Sequence, residues 1–398
     1  MKNITRFQLM AMMFLLYFIW GSWYGQMSKY MFNKETLNAT GGQVGNAYAA
    51  FSIAMIIAPF FVGLIADRYF AAQKVLGVLS LAGAVILYIL TGIKDADTFF
   101  WVILAYCITF APTMALTTSI AMQHVKDSEK DFPTIRVMGT VAWIVVSNII
   151  GYYGFGDSVM IFEISMVAAA ILGVYSFFLP DTPPKPNTNT SFAAILGLDA
   201  FRLFKDRSFS IFFVSSLLIC IPLSFYYAMA NPSLTDSGMT NVENKMSLGQ
   251  VSEVFFMLLI PFAFRRYGVK WMLIVGLIAW IVRFVGFGYG NASNEWLLYL
   301  AIVLHGVCYD FFFVTGQIYT DSKAGEKYRS SAQGLIAIAT YGIGMAIGSW
   351  MAGFFAEMYT VDGVKNWTSI WMIPAGIAAV VLVLFVLFFN DNKVRAAE

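Results

Sequence analysis

Long apolar runs alternate with short polar loops along the whole chain. A bilayer core about 30 Å thick is crossed by a helix of roughly 20 mostly apolar residues. The length of the runs predicts transmembrane helices rather than strands. The predicted spans are 9–31, 43–66, 73–93, 98–123, 132–154, 158–179, 209–231, 246–266, 270–289, 295–320, 330–357 and 367–390. The pattern therefore predicts an all-α membrane protein with twelve transmembrane helices.

Positive charge is distributed unevenly between the loops. Lys and Arg concentrate on the cytoplasmic side of membrane proteins. If the N-terminus is inside, the outer loops contain only Lys29, Lys34, Lys94, Lys245 and Lys365, and the inner loops are much richer in Lys and Arg. We therefore expect both termini in the cytoplasm.

A proline-rich segment divides the spans six and six. Residues 179–186 read Leu-Pro-Asp-Thr-Pro-Pro-Lys-Pro, which cannot continue a helix. We predict an N-terminal six-helix bundle over 1–180, a cytoplasmic linker over 181–208 and a C-terminal six-helix bundle over 209–398. This layout resembles that of the major facilitator superfamily, whose fold we expect here. Transporters built from such repeats bind their solute near the bilayer midplane.

The loop after the second predicted span carries a further likeness. Gly63, Asp67 and Arg68 lie in Gly-Leu-Ile-Ala-Asp-Arg, which resembles the superfamily's Gly-x-x-x-Asp-Arg loop. We interpret it as a conformational latch between helix ends. The alternative is ordinary positive charge on the inner side.

Composition excludes a soluble protein. Hydrophobic residues make up 59% of the chain and charged residues 12%, whereas soluble domains carry roughly 25% charged residues. The net charge of +2 says nothing about nucleic acid, but no basic cluster exceeds ordinary loop charge, so we expect no nucleic-acid partner. Three cysteines in separate apolar runs predict neither a disulfide framework nor a metal site. We expect no cofactor, and no nucleophile–base set indicates an enzyme.

Ionisable side chains inside spans are costly and are therefore functional candidates. Arg136, Thr140 and Trp143 share one helix face, because residues at i, i+4 and i+7 lie above one another. A guanidinium, a hydroxyl and a large ring on one face suit a planar polar solute. The alternative is that Arg136 extends toward the cytoplasm.

A second polar pair is Gln250 and Glu253, which are three residues apart and face the same way. An amide beside a carboxylate suits hydrogen bonding to a solute, and the carboxylate also suits proton exchange. The alternative is a structural hydrogen bond to a neighbouring helix.

A third group contains His305, Tyr309 and Asp310. A buried carboxylate needs a partner or a proton, so Asp310 is the main candidate for proton coupling and Glu253 the second. His305 is either a solute contact or a helix-packing group. Arg283 is expected on a peripheral helix, where it pairs with one of the acids. In the alternative reading Asp310 is permanently paired with Arg283 and only holds helices together.

Ser224, Tyr227 and Asn231 lie on one face just before Pro232. Proline frees backbone groups that a cavity can use, so Ser224 and Tyr227 are candidate solute contacts. The alternative for the tyrosine is an interfacial aromatic belt.

Several segments together resemble the nucleoside:proton symporter family of the major facilitator superfamily. The likeness runs from Trp20-Gly-Ser-Trp to the last span and is strongest to the subgroup named "putative nucleoside transporters". The segments that carry it are Arg136-Val-Met-Gly-Thr140, Leu196-Gly-Leu-Asp-Ala200, Leu248-Gly-Gln-Val-Ser-Glu253, His305-Gly-Val-Cys-Tyr-Asp-Phe311 and Ser331-Ala-Gln-Gly334.

The resemblance implies roles by position. Arg136 and Thr140 match residues that contact the nucleoside from the first half. Gln250 and Glu253 match residues that contact it from the second half. Asp310 matches an acidic residue tied to binding and proton coupling.

The resemblance also implies that Trp143 and Tyr309 occupy aromatic positions suited to stacking on a base. Three other positions depart from the family pattern. The better-known permeases of the family have a glutamine and an asparagine in place of Ser224 and Tyr227, and a tyrosine in place of His305.

We therefore expect a proton-coupled symporter that imports nucleosides across the bacterial inner membrane by alternating access. The alternative is a proton symporter for a sugar or another small polar metabolite. No ATP-binding motif occurs, and no cluster of oxygens suits sodium, so protons are the expected coupling ion. The expected partners are the solute, protons and membrane lipids, and we expect a monomer.

Overall fold

The computed structural model describes residues 3–61, 69–125, 128–184 and 198–390. Nearly all of these residues are helical. The chain divides into two compact units, Met1–Thr190 and Ser191–Glu398. The predicted linker over 181–208 contains this division, and the bundle boundaries at 180 and 209 stay predictions.

Seven helices make up the described part of the first unit. The short α2 follows α1 after a turn, and α1 packs against α6 and α7. The helices are α1 (Asn3–Trp23), α2 (Met27–Phe32), α3 (Gly41–Phe61), α4 (Ala72–Thr91), α5 (Ala96–His124), α6 (Ser128–Tyr153) and α7 (Met160–Ser176).

The described part of the second unit, residues 198–390, begins with a short 3-10 helix and contains two π-helical segments within its spans. Its elements are the 3-10 helix Leu198–Lys205, α8 (Arg207–Asp236), α9 (Val242–Tyr289), the 3-10 helix Ala292–Asn294, α10 (Glu295–Tyr309), the π-helix Asp310–Val314, α11 (Thr315–Ala337), the π-helix Ile338–Gly344, α12 (Met345–Met358), β1 (Thr360–Val361), β2 (Val364–Lys365) and α13 (Trp367–Phe388). The strands β1 and β2 form a small antiparallel hairpin.

Two glycines separate spans that otherwise run together. Gly268 in α9 has φ 71° and ψ 172°, and Gly325 in α11 has φ 63° and ψ 173°. A positive φ of this kind is accessible to glycine because it has no Cβ. Each glycine therefore ends one span and begins the next.

The number of spans agrees with the hydropathy pattern. The described residues contain nine helical segments long and apolar enough to cross a membrane. One of them, α9, is two spans joined at Gly268, and α3 and the shorter apolar α7 supply the remaining two. The predicted all-α membrane fold with twelve spans is confirmed.

The end of the predicted linker is folded onto the second unit. In the 3-10 helix Leu198–Lys205, Ala200 is fully buried against Ala324, Ala332 and Leu335 of α11. The Arg202 guanidinium lies 3.4 Å from the centre of the Tyr328 ring. Residues 198–205 are therefore a docked element rather than a free loop.

Asp206 fixes the start of α8. Its carboxylate accepts hydrogen bonds from the backbone N–H groups of Ser208 (2.8 Å) and Phe209 (3.2 Å), and from Lys323 Nζ (2.8 Å). Burial acts to raise the pKa of Asp206, but the hydrogen bonds from Lys323 and from the backbone outweigh it, so the pKa is lowered from its ordinary value. Capping of this kind joins the docked linker helix to α8 and α11.

The predicted latch residues Gly63, Asp67 and Arg68 lie outside the described residues. Their role stays a prediction.

Candidate functional site

In the first unit, Arg136, Thr140 and Trp143 are half-buried on α6. The Arg136 guanidinium carbon lies 4.3 Å from the centre of the Tyr17 ring on α1, a cation–π arrangement. The absence of a side chain at Gly139 permits this contact, because a Cβ at that position would lie 2.8 Å from both Arg136 Nη1 and Tyr17 Cδ2. The guanidinium is therefore held against an aromatic ring of the neighbouring helix.

Trp143 extends this surface with a second set of rings. Its ring meets Trp20 edge-on at 5.1 Å, and Trp20 stacks on Phe51 at 5.3 Å. The Trp20 indole nitrogen is buried and has no hydrogen-bond partner within the described residues. The first unit thus offers guanidinium and indole donors beside flat aromatic faces.

In the second unit, Gln250 and Glu253 lie one turn apart on α9 and are both half-buried. The Glu253 side chain keeps 17% of its surface exposed within a membrane-spanning helix. The carboxylate is therefore not fully enclosed by protein. Gln250 and Glu253 therefore lie on one face, as the sequence predicted.

The helices α9 and α10 touch at Gly306, next to this carboxylate. The Gly306 N–H donates to Ser252 Oγ at 3.0 Å, and a Cβ at Gly306 would lie 2.5 Å from the Ser252 carbonyl carbon. This close approach brings His305 Nε2 to 3.8 Å from Glu253 Oε2.

His305 is almost completely buried, with 2% of its surface exposed. Its ring centre lies 5.2 Å from that of Tyr226 and 5.5 Å from that of Tyr309. The Tyr309 hydroxyl lies 2.7 Å from the Tyr341 hydroxyl, and either can donate. An aromatic cluster therefore surrounds the imidazole.

Arg283 is fully buried, and its contacts reach α10. Its Nε donates to the Ala301 carbonyl oxygen at 2.8 Å, its Nη1 lies 3.0 Å from His305 Nδ1, and its guanidinium carbon lies 3.7 Å from the centre of the Tyr226 ring. The expectation that it pairs directly with an acid is not met among the described residues. The inward position follows from packing, because α9 and α10 meet closely enough for the side chain to reach across.

Asp310 is also fully buried, and neither of its carboxylate oxygens has a hydrogen-bond partner within the described residues. The permanent Asp310–Arg283 pair that we kept as an alternative is therefore absent from this conformation. Asp310 begins the π-helical segment Asp310–Val314, and such segments occur frequently at functional sites.

The three polar residues of α8 have different surroundings. The Ser224 hydroxyl donates to the Met345 carbonyl oxygen at 2.9 Å and so joins α8 to α12. Tyr227 is half-buried beside Tyr226, with ring centres 5.4 Å apart. The Asn231 amide nitrogen donates to Glu243 Oε1 at 3.2 Å, and both side chains are buried. In this conformation Ser224 and Asn231 serve helix packing, whereas Tyr227 reaches the aromatic cluster.

Sequence reasoning missed four aromatic residues: Tyr17, Trp20, Tyr226 and Tyr341. A signal existed for the first two, because Tyr17 and Trp20 are three residues apart and share a face of α1. Tyr341 lies in the π-helical segment Ile338–Gly344, and helical periodicity gives no sign of it.

The candidate residues of the first unit can hydrogen-bond and stack, and those of the second unit can also exchange a proton. The described residues contain no group of three or more His, Cys, Asp or Glu side chains that could hold a metal ion. These features suit the recognition of a polar, partly aromatic solute.

Comparison with known proteins finds a transporter family and relatives that are described as nucleoside and xanthosine transporters. A family model described as nucleoside H+ symporter matches residues 2–394. The chain is 42% identical to the putative nucleoside transporter YegT of Escherichia coli, over 99% of this chain and 96% of that protein. It is 35% identical to the xanthosine permease of Escherichia coli, over 97% and 96% of the two chains. A crystal structure of the nucleoside transporter NupG superposes with a TM-score of 0.88 at 32% identity, covering 98% of this chain and 100% of that one.

The match therefore extends over essentially the full length of each relative, and it is strong in both sequence and structure. The chain is a membrane transporter and not an enzyme, and it belongs to the nucleoside H+ symporter family, with the major facilitator fold.

Proposed function

We propose that the protein imports a nucleoside together with a proton across the bacterial inner membrane by alternating access. The observation that carries this proposal is Glu253, a partly exposed carboxylate inside a membrane-spanning helix with Gln250 one turn before it. An amide and a carboxylate supply both donors and acceptors, which suits ribose hydroxyls and the polar edge of a base.

The first unit supplies a complementary set. Arg136 offers guanidinium donors, Thr140 a hydroxyl and Trp143 a flat face. Aromatic rings stack on the π-face of a base. This set favours a nucleoside over a sugar, and the relatives described as nucleoside and xanthosine transporters support the same choice.

The second unit supplies further aromatic groups. Tyr227, His305 and Tyr309 surround the region of Glu253, and we assign Tyr227 and Tyr309 as candidate solute contacts. His305 lies behind the carboxylate rather than at its exposed side.

Asp310 is the proposed proton carrier. It is enclosed, and neither oxygen has a hydrogen-bond partner within the described residues. A charge in that position is costly without a partner, so binding and release of a proton change its energy strongly. Glu253 is the second candidate. We further propose that both termini are cytoplasmic and that the protein acts as a monomer surrounded by lipid, with no nucleic-acid partner.

Binding to purified variants tests the solute contacts. Loss of one buried hydrogen-bonding partner costs about 1–3 kcal/mol, so Gln250→Ala should weaken nucleoside binding roughly 5- to 150-fold. Arg136→Ala should weaken it at least as much, because its donors are charged. The measurement is equilibrium binding of a panel of nucleosides, nucleobases and sugars.

Gln123 on α5 and Arg265 on α9 provide matched controls. Gln123 and Arg265 are exposed, so Gln123→Ala and Arg265→Ala should leave the affinity unchanged. Unchanged nucleoside affinity in both Gln250→Ala and Arg136→Ala would contradict the proposed site. Binding of sugars alone by the unaltered protein would favour the sugar symporter instead.

A further inference from the structure

Arg283 and His305 form a contact whose chemistry fixes the position of a proton. Arg283 Nη1 lies 3.0 Å from His305 Nδ1. A guanidinium carries donors and no acceptor, and a neutral imidazole has one donor and one acceptor nitrogen. Nδ1 must therefore accept, which leaves the hydrogen of the neutral ring on Nε2.

The guanidinium is held in place by contacts that do not involve His305. Its Nε donates to the Ala301 carbonyl oxygen at 2.8 Å, and its plane lies over the Tyr226 ring at 3.7 Å. The Cys308 sulfur is 3.7 Å from Nη1. Because Arg283 is fully buried and fixed on several sides, it presents its donor to Nδ1 whichever tautomer the ring adopts.

The other ring nitrogen faces the proposed solute contact. His305 Nε2 lies 3.8 Å from Glu253 Oε2, and a hydrogen bond between nitrogen and oxygen needs about 2.7–3.2 Å. A shift of less than about 1 Å by either side chain makes that bond. The backbone contact at Gly306 limits movement of the helices, so the shift has to come from the side chains.

We propose that Arg283 is a positioning residue, which holds His305 in the Nε2–H tautomer so that this N–H orients the Glu253 carboxylate toward the solute. The proposal rests on the proposed role of Glu253 as a solute contact. Arg283 acts through His305 and does not touch the solute. A carboxylate held from behind by a neutral donor presents a directed acceptor, which selects solutes with a hydroxyl or ring N–H at that point.

The tautomer can be measured without any solute, because the chain has only two histidines, His124 and His305. His124 is not one of the candidate site residues, and its Nε2 lies 2.9 Å from the Thr182 hydroxyl oxygen. The His124→Gln variant, labelled with nitrogen-15 histidine, leaves one imidazole to observe by nuclear magnetic resonance at neutral pH. We expect a neutral ring with its hydrogen on Nε2. A ring with its hydrogen on Nδ1, or a doubly protonated ring, would overturn the proposal.

Two substitutions at the same position separate the two nitrogens. His305→Gln places an amide N–H near the position of Nε2 and keeps the donor to Glu253. His305→Asn places an oxygen near Nδ1 and keeps the acceptor for Arg283, but its amide is too short to reach Glu253. We expect His305→Gln to bind nucleoside within about threefold of the unaltered protein. We expect His305→Asn to bind about tenfold more weakly, the loss of one hydrogen bond to a charged group.

Equal affinities in the two variants, or tighter binding by His305→Asn, would contradict the positioning role. If neither variant folds, the resonance measurement decides alone. Failure of the unaltered protein to bind any nucleoside would reject the proposed function, whereas the tautomer of His305 would still be read independently.

Discussion

Two carboxylates in the second unit differ in what surrounds them. Glu253 is partly exposed and lies near the Nε2 of His305, whereas Asp310 is enclosed and has no hydrogen-bond partner within the described residues. A carboxylate with a fixed neighbour suits a constant solute contact. A carboxylate without one changes most in energy when it gains or loses a proton. The roles that we propose for the two carboxylates rest on this difference.

Asp310→Asn tests the role of the second carboxylate. The amide is nearly the same size but cannot carry a titrating proton, so uphill accumulation driven by a pH gradient should be lost. Exchange of solute between the two sides by counterflow needs no net proton movement and should remain. Both are measured in proteoliposomes with radiolabelled nucleoside.

Asp97→Asn is the matched control, because Asp97 is exposed at the start of α5 and accepts from Gln43 Nε2 at 2.9 Å, which an amide oxygen can also do. It should keep both activities. Intact proton-driven accumulation in a well-folded Asp310→Asn protein would exclude Asp310 as the proton carrier.

Individual residues show what the sequence could and could not predict. The cost of burying polar groups was enough to select Glu253, His305 and Asp310, although their roles stay predictions. The partner of Arg283 was not predictable, because His305 is 22 positions away and the contact depends on how closely two helices approach. Tyr341 was missed because it lies in a π-helical segment, of which helical periodicity gives no sign.

At the scale of elements, the spans depart from regular α-helix near the candidate residues. The π-helical segment Asp310–Val314 begins at the proposed proton carrier, and Ile338–Gly344 contains Tyr341. Each π turn adds a residue and rotates the following side chains relative to the preceding ones. Apolar periodicity averages over such a turn, so the sequence predicted the spans and not these local changes.

Close packing of α9 and α10 is the element-scale feature that sets the distance from His305 to Glu253. Gly306→Ala places a methyl group 2.5–2.6 Å from backbone atoms of Ser252 and Glu253. Because backbone cannot rotate away, the helices must separate. Overpacking of this kind costs about 1–3 kcal/mol, so we expect a lower melting temperature and weaker nucleoside binding.

Gly376→Ala provides the comparison, because nothing lies within 4 Å of a Cβ at that helical glycine. Its melting temperature should equal or exceed that of the unaltered protein, since alanine favours helix over glycine. Equal melting temperatures and affinities for Gly306→Ala and Gly376→Ala, measured in the same detergent, would contradict the packing argument.

The predicted linker contains more structure than its composition indicates. The prolines at 180, 183, 184 and 186 predicted a loop extending to 208. The structure folds residues 198–205 into a 3-10 helix whose alanine packs on α11. Proline explains the break after α7, but the docking depends on apolar residues more than a hundred positions away.

At the scale of the whole molecule, the number of spans was predictable because the bilayer restricts the choices. Backbone groups in lipid must be satisfied within the chain, so an apolar run of sufficient length becomes a helix. That constraint acts on each run separately and needs no knowledge of tertiary packing. The predicted breaks between spans, at 266–270 and 320–330, contain Gly268 and Gly325, whose positive φ separates the helices there.

The direction of the chain through the membrane depends on charge rather than on packing. Lys and Arg are sparse in the loops assigned to the outside, and those at 29, 34, 94, 245 and 365 are the exceptions. Because positive residues resist translocation, we expect both termini and the linker in the cytoplasm.

Reporter enzymes that are active on one side of the membrane test this orientation. They should read cytoplasmic when fused after residue 190 and after the C-terminus. A fusion after residue 93, in the loop between α4 and α5, should read periplasmic and serves as the control. Six spans on each side of the linker place the N-terminus, the linker and the C-terminus on the same side of the membrane. A periplasmic reading at residue 190 or at the C-terminus would therefore contradict the orientation.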